Sequence, residues 1–254
     1  MIAVRGLSKE YKDKYAVKNL NFNVGEGELF AFLGPNGSGK STTIKMMLGI
    51  LEATEGDVEI LGFKADVNNI ELKRQWSFVP DTPDIIGKLT GQQYLNFVAG
   101  VYKMPKNLFN ERVSELLEWF DLKNDLKTLV EEYSHGMRQK LVIIGALMHE
   151  PKVIFLDEPN VGLDPKSTRN LKQYLREYTS RGNTVFLTTH TLSLAEEIAD
   201  RILIIYKGEE KATGTLDELR QISGLAEGTL EDVFLHLTEE AYSDVSNYES
   251  GDTV

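Results

Sequence analysis

The sequence predicts an α/β fold: a core built on a mainly parallel sheet, with an antiparallel β edge and an inserted helical subdomain. Three observations carry that prediction. Short apolar runs suited to buried strands alternate with helical segments, as crossover connections require. A glycine-rich run, GPNGSGKST from Gly34 to Thr42, lies between one such strand and one such helix. From Thr90 to Glu150 helical periodicity takes over, so helices interrupt the core.

The elements follow in order. VKNLNFNV (Val17 to Val24) alternates in part and predicts a half-exposed strand near the edge. ELFAFL (Glu28 to Leu33) reads as a buried strand, and KSTTIKMMLGIL after it as a helix with Ile44, Met47, Leu48 and Leu51 on one face. DVEIL (Asp57 to Leu61) and WSFVP (Trp76 to Pro80) predict further strands. In NERVSELLEWF, Val113, Leu116, Leu117 and Phe120 line one side of a helix. Ser134 is a suitable N-cap for a helix through MRQKLVIIGALMHE, which stops before Pro151. Buried-strand signals return in KVIFL, TVFLTTH and RILIIY. The expected organisation is a core domain over residues 1–220, a helical insert over about 82–150, and an extension over 221–254. From about Leu237 the extension is acidic and poor in apolar residues, so partial disorder is expected there.

Composition narrows the function classes. The 254 residues can bury a substantial core. There is no cysteine, hence no disulfide, thiolate metal site or cysteine nucleophile, which is compatible with a reducing cytosol. The formal net charge of −11 argues against a nucleic-acid partner. MIAVRGLSKEYKDKY does not read as a signal peptide, because its apolar stretch is short and charges follow at once. The longest apolar runs, LVIIGALM and ILIIY, fall well below the ~20 residues a spanning helix needs.

The run at 34–42 satisfies G-x-x-x-x-G-K-[ST], with Gly34, Gly39, Lys40 and Ser41 at the fixed positions and Pro35, Asn36, Gly37, Ser38 and Thr42 completing it. Glycines let successive N–H groups turn toward an anion, and the helix behind them adds the positive end of its dipole. Lys40 would reach the β- and γ-phosphates, and the Ser41 hydroxyl would take a Mg²⁺ ligand position. The motif predicts a P-loop NTPase core that binds a nucleoside triphosphate, with Mg²⁺ as its companion ion. A second constellation stands in KVIFLDEP (Lys152 to Pro159), with two carboxylates at a strand's carboxyl end, where open α/β sheets place ligands. Asp157 is suited to hold Mg²⁺. Strand alternation turns Glu158 another way, toward polarising the water that attacks the γ-phosphate.

With these motifs in order, residues 1–220 resemble the ATP-binding subunit of an ABC transporter. YSHGMRQK (Tyr133 to Lys140) stands where that family carries its LSGGQ signature; Ser134 and Gly136 are kept, while His135 and Met137 depart from it. The resemblance implies that Ser134, His135, Gly136 and Met137 face the ATP of a second subunit, closing a head-to-tail dimer around two ATP. It implies that Tyr11, with Tyr15 as its rival, stacks on adenine, and that Asp164 in NVGLDP contacts the partner as the D-loop residue. His190 matches the switch histidine that contacts the γ-phosphate beside the catalytic Glu158. At the Q-loop position, normally Gln, stands Asp81, a metal-site candidate. The form SHGMRQK, the stretch GTLEDVFLHLT (Gly228 to Thr238) and the acidic tail resemble bacterial exporters with separate membrane subunits. The implied protein is an ATP-hydrolysing motor, cytoplasmic and peripheral on the inner face of the cell membrane, with polytopic membrane subunits as partners. The alternatives are a soluble ABC-type ATPase acting on ribosome or DNA-repair complexes, and a regulator that binds nucleotide without transport.

Overall fold

The apolar run ELFAFL buries all of its strand residues, because both faces of a mainly parallel sheet are covered. In a computed structural model, which describes residues 1–65 and 69–238, this run forms β3 (Leu29–Leu33). The acidic tail beyond Thr238 lies outside the described residues. The chain divides into two compact units.

One unit comprises residues 2–24, 30–65 and, among those described, 188–238. Its antiparallel sheet has the order β2-β1-β4-β5, with β1 at Ile2–Tyr11, β2 at Lys14–Val24, β4 at Glu55–Ile60 and β5 at Phe63–Lys64. Ile2, Val4 and Leu7 of β1 are buried, but shifts of register divide the strand after Val4 and again after Leu7, so it has no simple alternation. β3 runs parallel to β9 (Arg201–Tyr206), and β9 pairs antiparallel with β10 (Glu209–Gly214). α1 (Lys40–Met47) follows the glycine loop and buries Ile44 and Met47. It ends short of Leu51 because Gly49 takes a left-handed φ of 68°, the common stop one residue past a helix. α7 (Leu192–Ile198), α8 (Leu216–Ser223) and a helix over residues 230–238 cover this sheet. Leu33, Ile202, Ile204, Leu219, Leu230 and Val233 are buried in one cluster, each such side chain contributing about 1.5–3 kcal/mol.

The other unit comprises residues 25–29 and, among those described, 69–187. Here β6 (Trp76–Val79) runs parallel to β7 (Val153–Asp157), and β8 (Thr184–Thr189) lies on the far side of β7. Between β6 and β7 the chain forms α3 (Gly91–Val101), α4 (Lys106–Phe120) and α5 (His135–Leu147). A reciprocal capping box at Thr90 and Gln93 starts α3. α4 buries Val113, Leu116, Leu117 and Phe120, the side its spacing predicts. The short α2 (Ile70–Lys73) precedes β6. α6 (Pro165–Ser180) follows β7, and its Tyr178 hydroxyl donates to the Pro151 carbonyl just ahead of that strand.

Candidate functional site

The loop between β3 and α1 is wound tightly by its own backbone. Ser38 N–H donates to Pro35 C=O at 3.2 Å, Gly208 N–H to Ser38 C=O at 3.0 Å, and Gly34 N–H to Thr189 C=O at 3.3 Å. Gly39 caps α1 at φ 109°, and a Cβ there would stand 2.7 Å from the Ala16 carbonyl oxygen. Only glycine fits. Lys40, 6% exposed, folds back so that its ammonium donates to the Gly34 and Pro35 carbonyls at 2.8 and 3.1 Å. A cation is thereby held over the loop's mouth at a helix start. Ser38 Oγ is buried and has no hydrogen-bond partner among the described residues, a donor suited to a phosphate oxygen. His190, just past β8, shares a cavity wall with Gly34, Pro35 and Asn36. Two motifs far apart in sequence therefore meet.

Tyr11 and Tyr15 flank a two-residue turn, Lys12 and Asp13, both left-handed at φ 46° and 66°. The register pairs Tyr11 with Lys14 and Tyr15 with Glu10, so the two rings leave opposite faces of the hairpin. A base on one face can use only one of them. Tyr11 is the more exposed, at 49% against 37%, and the Lys9 ammonium lies 5.3 Å from its ring centroid.

Asp157 ends β7, and both it and Glu158 are buried. Strand alternation does not orient Glu158, because the strand has already ended. The residue sits at φ 48°, a left-handed turn that costs a non-glycine residue about 1–2 kcal/mol. Strain of this kind concentrates at functional sites. Asp81 lies exposed in the bend after β6. A hydroxyl, as on Ser41, and a carboxylate, as on Asp157, are each the oxygen donor a hard cation such as Mg²⁺ takes. No group of three or more His, Cys, Asp or Glu able to hold a metal occurs among the described residues.

Ser134 caps α5, its hydroxyl accepting from Met137 N–H at 3.2 Å, and the helix start is pressed onto the segment after β7. A Cβ on Gly136 would stand 2.5 Å from the Gly162 carbonyl oxygen, and one on Gly162 would meet His135 Cδ2 at 2.1 Å. Gln139 reaches the Pro159 carbonyl at 3.4 Å. Asp164 caps α6, accepting from Ser167 N–H at 2.9 Å and Ser167 Oγ at 2.6 Å, with Lys140 Nζ at 3.0 Å. The Ser167 hydrogen bonds, reinforced by Lys140, hold its carboxyl well below the usual carboxylate range. Asp164 is thus the N-cap of α6, a role legible in the order Asp-Pro-x-Ser. The seat of the His135 ring on Gly162 had no sequence signal.

A family model described as ABC transporter matches residues 17–161, which include Gly34 to Thr42, Ser134 to Met137, Asp157 and Glu158. The chain belongs to the ABC transporter family. The probable multidrug ABC transporter ATP-binding protein YbhF of Escherichia coli (strain K12) is 36% identical over 250 residues, 97% of this chain and 43% of that protein. The chain thus spans less than half of that relative. A solved ATP binding subunit of an ABC transporter superposes with a TM-score of 0.88 at 33% identity, over 94% of this chain and 99% of its own. The dimeric, post-hydrolysis state of the ATP-binding cassette MJ0796 bound to ADP and Pi gives a TM-score of 0.77 at 29% identity, over 85% and 99%. These likenesses confirm the α/β P-loop fold that the strand–loop–helix pattern predicts, and with it the ABC ATPase domain.

Proposed function

We propose that the chain is the ATP-hydrolysing motor subunit of an ABC transporter, which dimerises around two ATP and drives export through separate membrane-spanning subunits. The observation that carries this reading is the loop at 34–42, with the Lys40 ammonium folded over its mouth and His190 on the same cavity wall. Lys40 and the N–H groups at the start of α1 bind the β- and γ-phosphates, and the exposed Tyr11 stacks on adenine. Ser41 and Asp157 would hold Mg²⁺, which offsets phosphate charge when bound, and Asp81 is a further candidate for that ion's surroundings. Glu158 orients the attacking water and takes its proton, while His190 contacts the γ-phosphate. The capped start of α5, at Ser134, His135, Gly136 and Met137, faces the ATP of the second copy. The dimeric MJ0796 cassette with ADP and Pi supports this arrangement.

The γ-phosphate is then held from both sides only in the closed dimer, and that differential contact makes ATP a switch. Among the described residues no helix is long and apolar enough to cross a membrane. The reading assigns the membrane passage to partner subunits, and this chain to the inner face of the membrane. The multidrug name of YbhF supports export. The test is Glu158→Gln, which keeps the size of the side chain and removes the base. ATP binding should persist, an ATP-dependent dimer should accumulate by light scattering, and turnover should fall about 10²–10⁴-fold. Normal turnover in this variant would overturn the assignment.

A further inference from the structure

The helix over residues 230–238 belongs to none of the motifs above, yet it reaches the nucleotide loop. Leu230 and Val233 are fully buried against Ala195 of α7 and Leu219 of α8, and Leu230 N–H donates to the Glu196 carboxylate of α7 at 3.4 Å. The helix is thus fixed to α7, whose first residue, Leu192, follows His190 by two positions. One turn beyond Leu230, Phe234 packs on that cluster beside Leu192. It also lines a cavity of about 260 Å³ whose other walls include His190, Pro35 and Asn36. An aromatic side chain from the far end of the sequence therefore stands where the His190 segment meets the phosphate loop.

We propose that Phe234, carried by the helix over residues 230–238, is a positioning residue of the nucleotide site, whose ring holds the His190 segment against the mouth of the phosphate loop. Phe234 touches no reacting atom. It acts through His190, and its effect on turnover rests on the proposed function. Without the ring, His190 and Leu192 gain room toward the cavity. Small displacements of a catalytic group cost large factors in rate while substrate binding, carried by Lys40 and the loop amides, is spared.

The test uses the full chain and three variants. Phe234→Ala removes the wall, Phe234→Leu retains an apolar one, and Val233→Ala weakens the same helix from its buried side without touching the cavity. The chain has four histidines, so the His190 imidazole resonances are assignable in a ¹H–¹⁵N spectrum by comparison with His190→Gln. Phe234→Ala should shift the His190 resonances and lower kcat about 10-fold, with KM for ATP within about twofold. Phe234→Leu should restore most of that loss, and Val233→Ala should lower the melting temperature while keeping turnover. The proposal is overturned if the His190 resonances stay in place in Phe234→Ala, or if Val233→Ala loses turnover to the same degree. Should the unmodified chain fail to hydrolyse ATP, the proposed function falls, while the resonance shift still decides the placement of Phe234.

Discussion

His135 replaces a glycine of the family's signature, and the cost of that replacement is carried by another residue. Its ring occupies the space a Cβ on Gly162 would need, at 2.1 Å, so the histidine requires the glycine opposite. Gly162→Ala adds a methyl group at φ 79° and also displaces the ring, for a combined cost of about 2 kcal/mol. In a His135→Ala background the displacement disappears and only the backbone cost remains. The double-mutant cycle, followed by urea denaturation, should give a coupling of about 1 kcal/mol. Strict additivity would mean that the ring does not depend on Gly162. The motif at 134–137 was legible from Ser134 and Gly136, which keep their residue types. The seat of His135 was not, because it depends on a contact between residues 27 positions apart in sequence. Glu158 teaches the same lesson. Its identity showed in KVIFLDEP, but its direction comes from a left-handed turn at φ 48°, which residue types alone do not signal.

At the scale of elements, α3, α5 and β6 are joined by a half-buried polar chain that the apolar pattern of these segments conceals. The Ser77 hydroxyl of β6 donates to the Ala146 carbonyl at 2.7 Å, so its oxygen accepts Nε2–H of a neutral His149 at 3.1 Å. The Tyr102 ring, at the end of α3, stacks on the imidazole with centroids 3.6 Å apart. Burial pushes His149 down from its ordinary 6.5 to about 4, which the Gly145 carbonyl offsets only in part. As pH falls from about 6.5 toward 4 the unfolded chain takes up the proton first, so stability declines across that window and the contribution is level on either side. The shift sets a ceiling on the order of 3 kcal/mol. His149→Phe keeps the stacking and removes the titration. Between about pH 7 and 4.5 the native chain should therefore lose on the order of 1–3 kcal/mol more unfolding free energy than this variant, read from denaturant titrations. Parallel profiles would show that His149 does not titrate in the fold. Element existence was readable wherever apolar runs were long, as in β3, β7 and α5. β10 carries no strand signal because EEKATG is polar and stands at the edge of its sheet, beside β9. α1 is shorter than the run KSTTIKMMLGIL predicts because Gly49 stops it.

At the scale of the molecule, the proposed function gives each chain two phosphate-facing helix starts, at α1 and at α5. It has every ATP held by α1 of one copy and α5 of another. The two starts differ in what protects them. Lys40 and the loop amides meet ATP bound to their own chain, whereas the first turn of α5, capped by Ser134, meets ATP only when a second copy arrives. Hydrogen exchange separates the two cases in Glu158→Gln at saturating ATP. Amides of residues 34–42 should gain protection even in dilute protein, since binding there is a property of one chain. Amides of residues 135–137 should gain it only as protein concentration rises, with a midpoint that tracks dimer formation by light scattering. At ATP about 100-fold above its Kd, mass action supplies about 2.7 kcal/mol to the bound form, enough to slow exchange in the loop about 100-fold. Protection of α5 that is complete in dilute protein would place its start against the chain's own nucleotide or none, and the dimer reading would fail. Protection that follows concentration would show that GPNGSGKST is one half of a site completed by Ser134 and Gly136 of another copy.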